Sequence, residues 1–265
     1  MTILICLVAG MSSRFGGLDK PKQFEKVGPN NETLIEYSIN QATTIPLNKI
    51  VFITNKKTET NFKNIFGSIY DNIPVSYVRQ NFDHKIRKKP WGTLDAICCA
   101  VDIIDRNFIV INGDDIYGTS TFKKGFNILN NIDRKNVLGL VKTLKTLPKS
   151  GKVNRGIATV SGGRVIALTE KLNISIENDE LHNTFSNVNF LCFQPEVIYI
   201  LLKYLNDFKD QNKDDDKIEI LLPDILNKMV EKNEIILDYF EIENNILGIT
   251  NPADSKSIKK LLNNL

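Results

Sequence analysis

A positively charged, glycine-rich loop follows the first apolar segment of the chain. Residues 3–9 are all apolar, and the run ends at Gly10. Glycines let a backbone approach a ligand closely, and the free N–H groups of such a loop bind anions. Arg14 suits forked contact with phosphate oxygens, and Lys22 adds a mobile positive charge. The pattern predicts a triphosphate-binding loop; the alternative is an ordinary turn with surface charges.

Two adjacent carboxylates, Asp114 and Asp115, follow a later apolar segment at residues 107–112. Carboxylate oxygens are hard ligands for Mg²⁺, which needs only one or two protein groups when it also binds substrate phosphates. The sequence therefore predicts a magnesium site at this pair of aspartates. The alternative is a plain turn that contains two aspartates.

Alternating apolar and amphipathic segments predict the elements that position these residues. In the first 115 residues we predict strands at 3–9, 49–54, 74–79 and 107–112, and helices at 33–42, 59–69 and 93–104. Such alternation is typical of a parallel sheet with right-handed crossovers. Ligands of these sheets bind beyond the carboxyl ends of the strands, where the Gly10 loop, Gln80 and Asp114 all fall.

The second half of the chain has a mixed pattern. We predict strands at 137–145, 156–161, 164–169, 187–193 and 235–242, and helices at 195–205, 222–232 and 254–262. The charge-dense residues 207–217 are predicted to be a solvated loop. No internal repeat is visible, so we predict one domain over residues 1–265.

Composition excludes several classes of protein. The chain has 265 residues, 42% of them hydrophobic and 25% charged, as in ordinary globular proteins. A net charge of +3 is too small to indicate nucleic-acid binding. Four cysteines without a CxxC spacing predict small buried side chains in a reducing compartment. No apolar run approaches the roughly 20 residues that span a bilayer. We expect a cytoplasmic protein with no membrane partner.

The loop also resembles a known signature. The residues that match it are Leu7, Ala9, Gly10, Arg14, Pro21 and Lys22. This pattern is similar to that of the sugar-1-phosphate nucleotidyltransferases, or NDP-sugar pyrophosphorylases. The resemblance implies a Rossmann-like, GT-A-type α/β fold, a three-layer α/β/α arrangement with a mixed, mostly parallel sheet. It also implies a nucleotide-binding half at residues 1–115 and a sugar-phosphate-binding half at residues 116–265.

The resemblance assigns roles residue by residue. The implied catalytic residues are Arg14, Lys22 and Asp114. The implied nucleotide-binding residues are Ala9, Gly10, Met11, Gln80, Gly92 and Thr93. The implied sugar-phosphate-binding residues are Gly156, Glu170, Lys171 and Asn187, and the implied Mg²⁺ ligands are Asp114 and Asn251. An amide such as Gln80 can pair with a base edge through one donor and one acceptor.

Three features leave alternatives open. The basic insert at residues 81–89 is either a lid over the phosphates or a solvated loop. Either Asn251 or Thr250 matches a position where family members carry an aspartate ligand, and the alignment of the two sequences there leaves both open. Asn189 replaces a glycine two residues after the implied pocket residue Asn187, which leaves the identity of the acceptor open.

The resemblance implies that an NTP and a sugar 1-phosphate form an NDP-sugar and pyrophosphate by in-line attack. The best match is UTP with N-acetylglucosamine 1-phosphate or glucose 1-phosphate. The alternatives are a cytidylyltransferase that acts on a non-sugar phosphate such as phosphocholine, a glycosyltransferase, and a non-catalytic regulatory protein. The oligomeric state stays open, with a homodimer as one alternative.

Overall fold

The first half of the chain builds the parallel part of a mixed sheet. The computed structural model describes residues 1–10, 21–148, 151–244, 246–249 and 252–263. The first strands are β1 (Thr2–Leu7), β2 (Leu47–Thr54), β3 (Ile69–Tyr70), β4 (Ile73–Arg79) and β5 (Phe108–Asn112). β1 pairs in parallel with β2 and β5, and β4 extends the parallel set beyond β2. β1 is almost entirely buried, as its apolar run predicts for a strand covered on both faces.

Helices connect the parallel strands. They are α1 (Leu34–Ala42), α2 (Glu59–Phe66) and α3 (Thr93–Cys98). α1 begins where the sequence predicts, because Thr33 and Glu36 form a capping box: the Thr33 hydroxyl accepts from Glu36 N, and the Glu36 carboxylate accepts from Thr33 N at 2.8 Å.

The second half adds mainly antiparallel strands. They are β6 (Asp115–Ile116), β7 (Asn136–Lys142), β8 (Val153–Ser161), β9 (Arg164–Ile174), β10 (Phe185–Phe193), β11 (Leu237–Glu241) and β12 (Leu247–Gly248). β10 pairs antiparallel with both β5 and β7, and so joins the second half to the parallel strands. In the described residues the main sheet has ten strands in the order β3-β4-β2-β1-β5-β10-β7-β11-β9-β8.

Helices cover both faces of this sheet. The second half contributes α4 (Thr119–Leu129), α5 (Val197–Gln211), α6 (Leu222–Glu231) and α7 (Pro252–Leu262). α3, α5 and α6 pack on one face around Ile97, Leu201 and Leu226. α1, α2 and α4 pack on the other around residues such as Ile39 and Phe122. The predicted three-layer α/β/α fold is confirmed. No helix among the described residues has the length and apolar content to cross a bilayer.

Several predicted boundaries are wrong. α3 ends at Cys98 and β7 at Lys142, short of the predicted ends at residues 104 and 145. α5 continues to Gln211, so the predicted solvated loop is partly helical. Asp207 and Asp210 are exposed on its last turns, while Phe208 packs edge-on against Trp91, with ring centroids 6.2 Å apart. β9 continues to Ile174 because its partner β8 also extends, in an antiparallel ladder from Val153 to Ser161.

The insert at residues 81–89 is anchored to the segment that follows α5. Arg87 is buried, with 4% of its surface exposed. Its guanidinium donates to the carbonyls of Asp215 at 2.6 Å and Ile218 at 2.5 Å, and lies 3.3 Å from the centre of the Trp91 ring. Lys88 N also donates to the Asp216 carbonyl at 2.9 Å. The arginine end of the insert is therefore docked on protein, which differs from a solvated loop.

The cysteines are free thiols, and three of the four are fully buried. Burial raises the pKa of the Cys6 thiol, raises that of Cys98 to about 12, and raises that of the half-buried Cys99 to about 11. Buried thiols with raised pKa values are poor nucleophiles. The cysteines act as small apolar side chains, as the sequence predicts.

Replacing Arg87 by Met should lower the free energy of unfolding by roughly 2–4 kcal/mol, because the carbonyls of Lys89, Asp215 and Ile218 lose a charged donor. The measurement is urea unfolding followed by circular dichroism. Arg106→Met is the matched control, since Arg106 forms an exposed ion pair with Asp105 and should contribute little. Equal midpoints for the two variants would show that the docking of Arg87 contributes nothing to stability.

Candidate active site

The carboxyl ends of β1, β4 and β5 open into a cavity of about 950 Å³ that both halves of the chain line. A volume of this size accommodates a nucleotide together with a small acceptor. The residues of the sequence prediction that line it are Ala9, Gly10, Lys22, Gln80, Gly92, Thr93, Asp114, Gly156, Glu170 and Asn187. Lys171 does not line it. Met11, Arg14 and Asn251 lie outside the described residues.

Lys22 and Asp114 form an ion pair on the lining of the cavity. Lys22 begins a short 3₁₀ turn at Lys22–Phe24, directly after Pro21. Its ammonium contacts the Asp114 carboxylate, and both side chains are partly exposed to the cavity. The structure thus brings together two of the three residues that the resemblance marks as catalytic. The predicted proximity of Arg14 to Asp114 is not tested, because Arg14 is outside the described residues.

Gly113 is the residue that allows Asp114 to reach this position. Its N–H donates to the Leu7 carbonyl at 3.0 Å, which holds the end of β5 against the end of β1. A Cβ atom at Gly113 would lie 2.2 Å from Val8 Cγ1, far inside van der Waals contact. Only glycine fits between the two strand ends, so Asp114, which follows it, lines the cavity together with Ala9 and Gly10.

Asp115 lies behind Asp114 and is held by other elements. One Asp115 oxygen accepts from Asn112 Nδ2 at 2.9 Å. Burial and the neighbouring Asp114 carboxylate raise the pKa of Asp115. β12 pairs with β6 so closely that a Cβ at Gly248 would lie 2.3 Å from the Asp115 carboxylate. Leu247 and Gly248, which precede the predicted metal ligand Asn251 in the chain, therefore pack beside Asp115.

Gln80 and Gly92 form the wall of the cavity that belongs to the first half. Gln80 follows β4, and its Nε2 group donates to the Gly92 carbonyl at 3.0 Å. Gly92 has φ of +105°, a conformation that strongly favours glycine, and a Cβ there would lie 2.7 Å from the Ile220 carbonyl oxygen. Thr93 begins α3 directly after this turn. The backbone is thus fixed close to the cavity at the start of a helix.

The opposite wall comes from β8, β9 and β10. Gly156 and Glu170 are directly opposed in the β8–β9 ladder. On β10 the Asn187 side chain bonds with both the backbone and the side chain of Asn189. Asn189 has φ of +56° at a bulge in β10, a left-handed conformation that glycine adopts freely and asparagine tolerates. The backbone conformation explains why Asn189 can stand where the resemblance leads one to expect glycine.

Arg155 is a cavity residue that the sequence prediction missed. Its guanidinium is half-buried, lines the cavity, and donates to the carbonyls of Asn154 and Thr146 at 2.9 and 3.1 Å. Burial lowers the pKa of Arg155, and the charges of Asp115 and Glu170 oppose that shift. Lys171, by contrast, pairs with Glu180 at 2.8 Å. In the sequence, Arg155 could have been recognised as a candidate because it directly precedes the predicted pocket residue Gly156.

Comparison with known families identifies the class of protein. The nucleotidyl transferase family model matches residues 4–241, which is most of the chain. The chain therefore belongs to this family. Among curated proteins, no match to the chain is found.

Solved structures share the fold at low sequence identity. A protein described as a glucose-1-phosphate thymidylyltransferase from Bacillus anthracis has a TM-score of 0.72 at 16% identity, over 100% of this chain and 96% of that one. The inositol-1-phosphate CTP transferase from T. maritima has a TM-score of 0.69 at 16% identity, over 99% and 95%. UTP-bound UGPase from Acinetobacter baumannii has a TM-score of 0.68 at 13% identity, over 98% and 93%.

Replacing Gly113 by Ala should lower the free energy of unfolding by about 1–3 kcal/mol, because the new methyl group forces the ends of β1 and β5 apart. Chemical denaturation measures the change. Gly10→Ala is the control at the neighbouring strand end, where no described atom lies within 4 Å of an added Cβ. If both variants unfold at the same denaturant concentration, the close approach at Gly113 does not affect stability, and the prediction is wrong.

Proposed function

We propose that this protein transfers a nucleotidyl group from an NTP to a sugar 1-phosphate, which yields an NDP-sugar and pyrophosphate. The observation that carries the proposal is the Lys22–Asp114 ion pair in a cavity lined by both halves of the chain. Gln80 and Gly92 lie on the wall suited to a nucleotide, and Glu170 and Asn187 lie on the wall suited to a sugar. The ion pair provides charge of both signs for phosphates and a metal.

The chemistry requires positioning and charge neutralisation. The acceptor phosphate oxygen attacks the α-phosphorus, the bond to the β-phosphate bridging oxygen breaks, and pyrophosphate leaves in line. Lys22 offsets negative charge on the phosphates, and Arg14 has the same role by resemblance. No covalent intermediate with the protein is needed. Holding both substrates in one cavity supplies much of the rate enhancement.

The carboxylates beside Lys22 fit a Mg²⁺ ion. No cluster of three or more histidine, cysteine or acid side chains suited to a metal occurs in the described ranges. One or two carboxylates at the cavity nevertheless match the needs of Mg²⁺, which takes its other ligands from phosphates and water. Asp114 would hold the ion, with Asp115 behind it and Asn251 as the proposed ligand from the C-terminal segment. Bound there, Mg²⁺ neutralises charge on the transferring phosphate.

The acceptor side needs a cation for the incoming phosphate. Arg155 is the best placed, since its charge lies near both the Asp115 and the Glu170 carboxylates. Planar guanidinium groups bind phosphate oxygens in a fork. Glu170 accepts hydrogen bonds from sugar hydroxyls, and Asn187 can donate and accept. The proposal therefore transfers the phosphate role from Lys171, which pairs with Glu180, to Arg155.

UTP with N-acetylglucosamine 1-phosphate or glucose 1-phosphate is the proposed substrate pair. The UTP-bound neighbour and the thymidylyltransferase support this pair through the shared fold. The inositol-1-phosphate CTP transferase supports the second candidate, a cytidylyltransferase with a non-sugar acceptor. Retention of both Lys22 and Asp114 in direct contact favours an enzyme over a non-catalytic regulatory protein.

Pyrophosphate release should be measured over a matrix of four NTPs and several phosphorylated acceptors. We expect release only with an NTP and an acceptor together, and fastest with UTP and a sugar 1-phosphate. Lys22→Ala should lower that rate by two orders of magnitude or more, because a positioned charge on the phosphates is lost.

Lys57→Ala, on an exposed turn after β2, is the control for charge alone and should retain the wild-type rate. Release with phosphocholine or inositol 1-phosphate and CTP would favour the second candidate. A wild-type rate in Lys22→Ala contradicts the proposed mechanism.

Arg155→Ala should raise KM for the acceptor by tenfold or more and leave KM for the NTP nearly unchanged, since one forked phosphate contact is removed. Steady-state kinetics with each substrate varied in turn separates the two constants. Lys171→Ala removes a cation from the adjacent position on β9 and should change neither KM. The reverse pattern would return the phosphate role to Lys171.

A further inference from the structure

Both hydrogens of the Gln80 amide are used by partners in the protein. Nε2 donates to the Gly92 carbonyl at 3.0 Å and to Oδ2 of Asp95 at 2.9 Å. Both partners can only accept, so a reversed amide would lose two hydrogen bonds and place its oxygen against two other oxygens. These contacts fix the amide, and Oε1 is the end that Gln80 can offer to a ligand in the cavity.

Asp95 is itself held by a residue from a distant helix. Its side chain is buried in the first turn of α3, and Oδ1 pairs with Lys209 Nζ at 2.5 Å. Lys209 comes from α5, and its Nζ lies 5.9 Å from the centre of the Trp91 ring. A buried carboxylate remains charged only when it is paired. Asp95 and Lys209 do not line the cavity, so they act on it through Gln80.

The fixed amide has a consequence for base selection. On its pairing edge uracil has a hydrogen on N3, whereas cytosine N3 is an acceptor with no hydrogen. An acceptor such as Gln80 Oε1 accepts a hydrogen bond from uracil N3–H, but at cytosine it faces the lone pair of N3.

We propose that Asp95 and Lys209 are positioning residues that hold Gln80 as a hydrogen-bond acceptor and thereby select uracil or thymine over cytosine. The inference rests on the proposed function, in which Gln80 faces the base. It adds the interaction that sets the preference, an ion pair outside the cavity between the buried Asp95 and the partly exposed Lys209.

Isothermal titration calorimetry of the full chain with Mg²⁺ and UTP, dTTP or CTP tests the inference without an acceptor. The wild type should bind UTP and dTTP about tenfold or more tightly than CTP. Asp95→Asn replaces the carboxylate by an amide that can donate or accept, so Gln80 can turn. CTP binding should then tighten and the UTP preference should fall to about threefold or less. A merely structural defect would weaken all three nucleotides.

Control variants separate charge from packing. Lys209→Arg keeps a cation beside Asp95 and should retain the wild-type preference. Lys209→Met removes the cation and should relax the preference as Asp95→Asn does, which provides a second test if one variant does not fold. Lys213→Ala breaks an exposed pair with Asp210 at 3.1 Å, just after α5, and should change nothing.

Two results overturn the inference while nucleotidyl transfer stands: equal binding of UTP and CTP by the wild type, or an unchanged preference in folded Asp95→Asn and Lys209→Met. Failure of the wild type to bind any NTP overturns the proposed function, and the inference with it.

Discussion

The contact between the ends of β1 and β5 is the constraint on which the site depends. Gly113 donates to the Leu7 carbonyl and leaves no room for a side chain. Because the strands end side by side, Ala9 and Gly10 after β1 and Asp114 after β5 line the same cavity. The Lys22–Asp114 ion pair is the result of that geometry. Lys22 and Asp114, which are far apart in sequence, thus lie together at the carboxyl ends of the parallel strands, where such sheets bind ligands.

A polar network connects the acceptor wall to the same edge. Tyr117 is buried, accepts from Asn112 N at 3.1 Å and donates to the Val188 carbonyl at 2.9 Å. Asn189 Nδ2 donates to Asn112 Oδ1 at 3.2 Å, and Asn112 in turn donates to Asp115. Satisfied networks of this kind hold one arrangement, because each buried group needs its partner. The bulge in β10 and the end of β5 therefore keep a fixed relation.

The sequence was most informative where local pattern decides structure. Buried parallel strands read as apolar runs, and the capping pair Thr33 and Glu36 marks a helix start, so the first half was predictable. Ala9, Gly10, Gln80 and Asp114, which follow those strands, line one cavity for the same reason. Helices on both faces followed from the same alternation of strands and helices.

Long-range pairing explains what the sequence did not show. Nothing local indicates that Arg87 docks on the carbonyls of Asp215 and Ile218, or that Lys209 reaches Asp95. The charge-dense residues 207–217 read as a loop because their apolar face, including Phe208, has its partner far away in the chain. Arg155 and Lys171 are neighbours across one ladder, and only the three-dimensional structure shows which of them lines the cavity.

The stacking of Arg87 on Trp91 has a spectroscopic consequence. Trp91 is the only tryptophan in the chain, and it precedes Gly92 at the rim of the cavity. A guanidinium covers its ring, an ammonium approaches it, and its carbonyl accepts from Ile220 N at 2.8 Å. The environment of the indole therefore depends on contacts between the two halves of the chain. Its intrinsic emission offers a label-free optical signal for substrate loading in the unmodified protein.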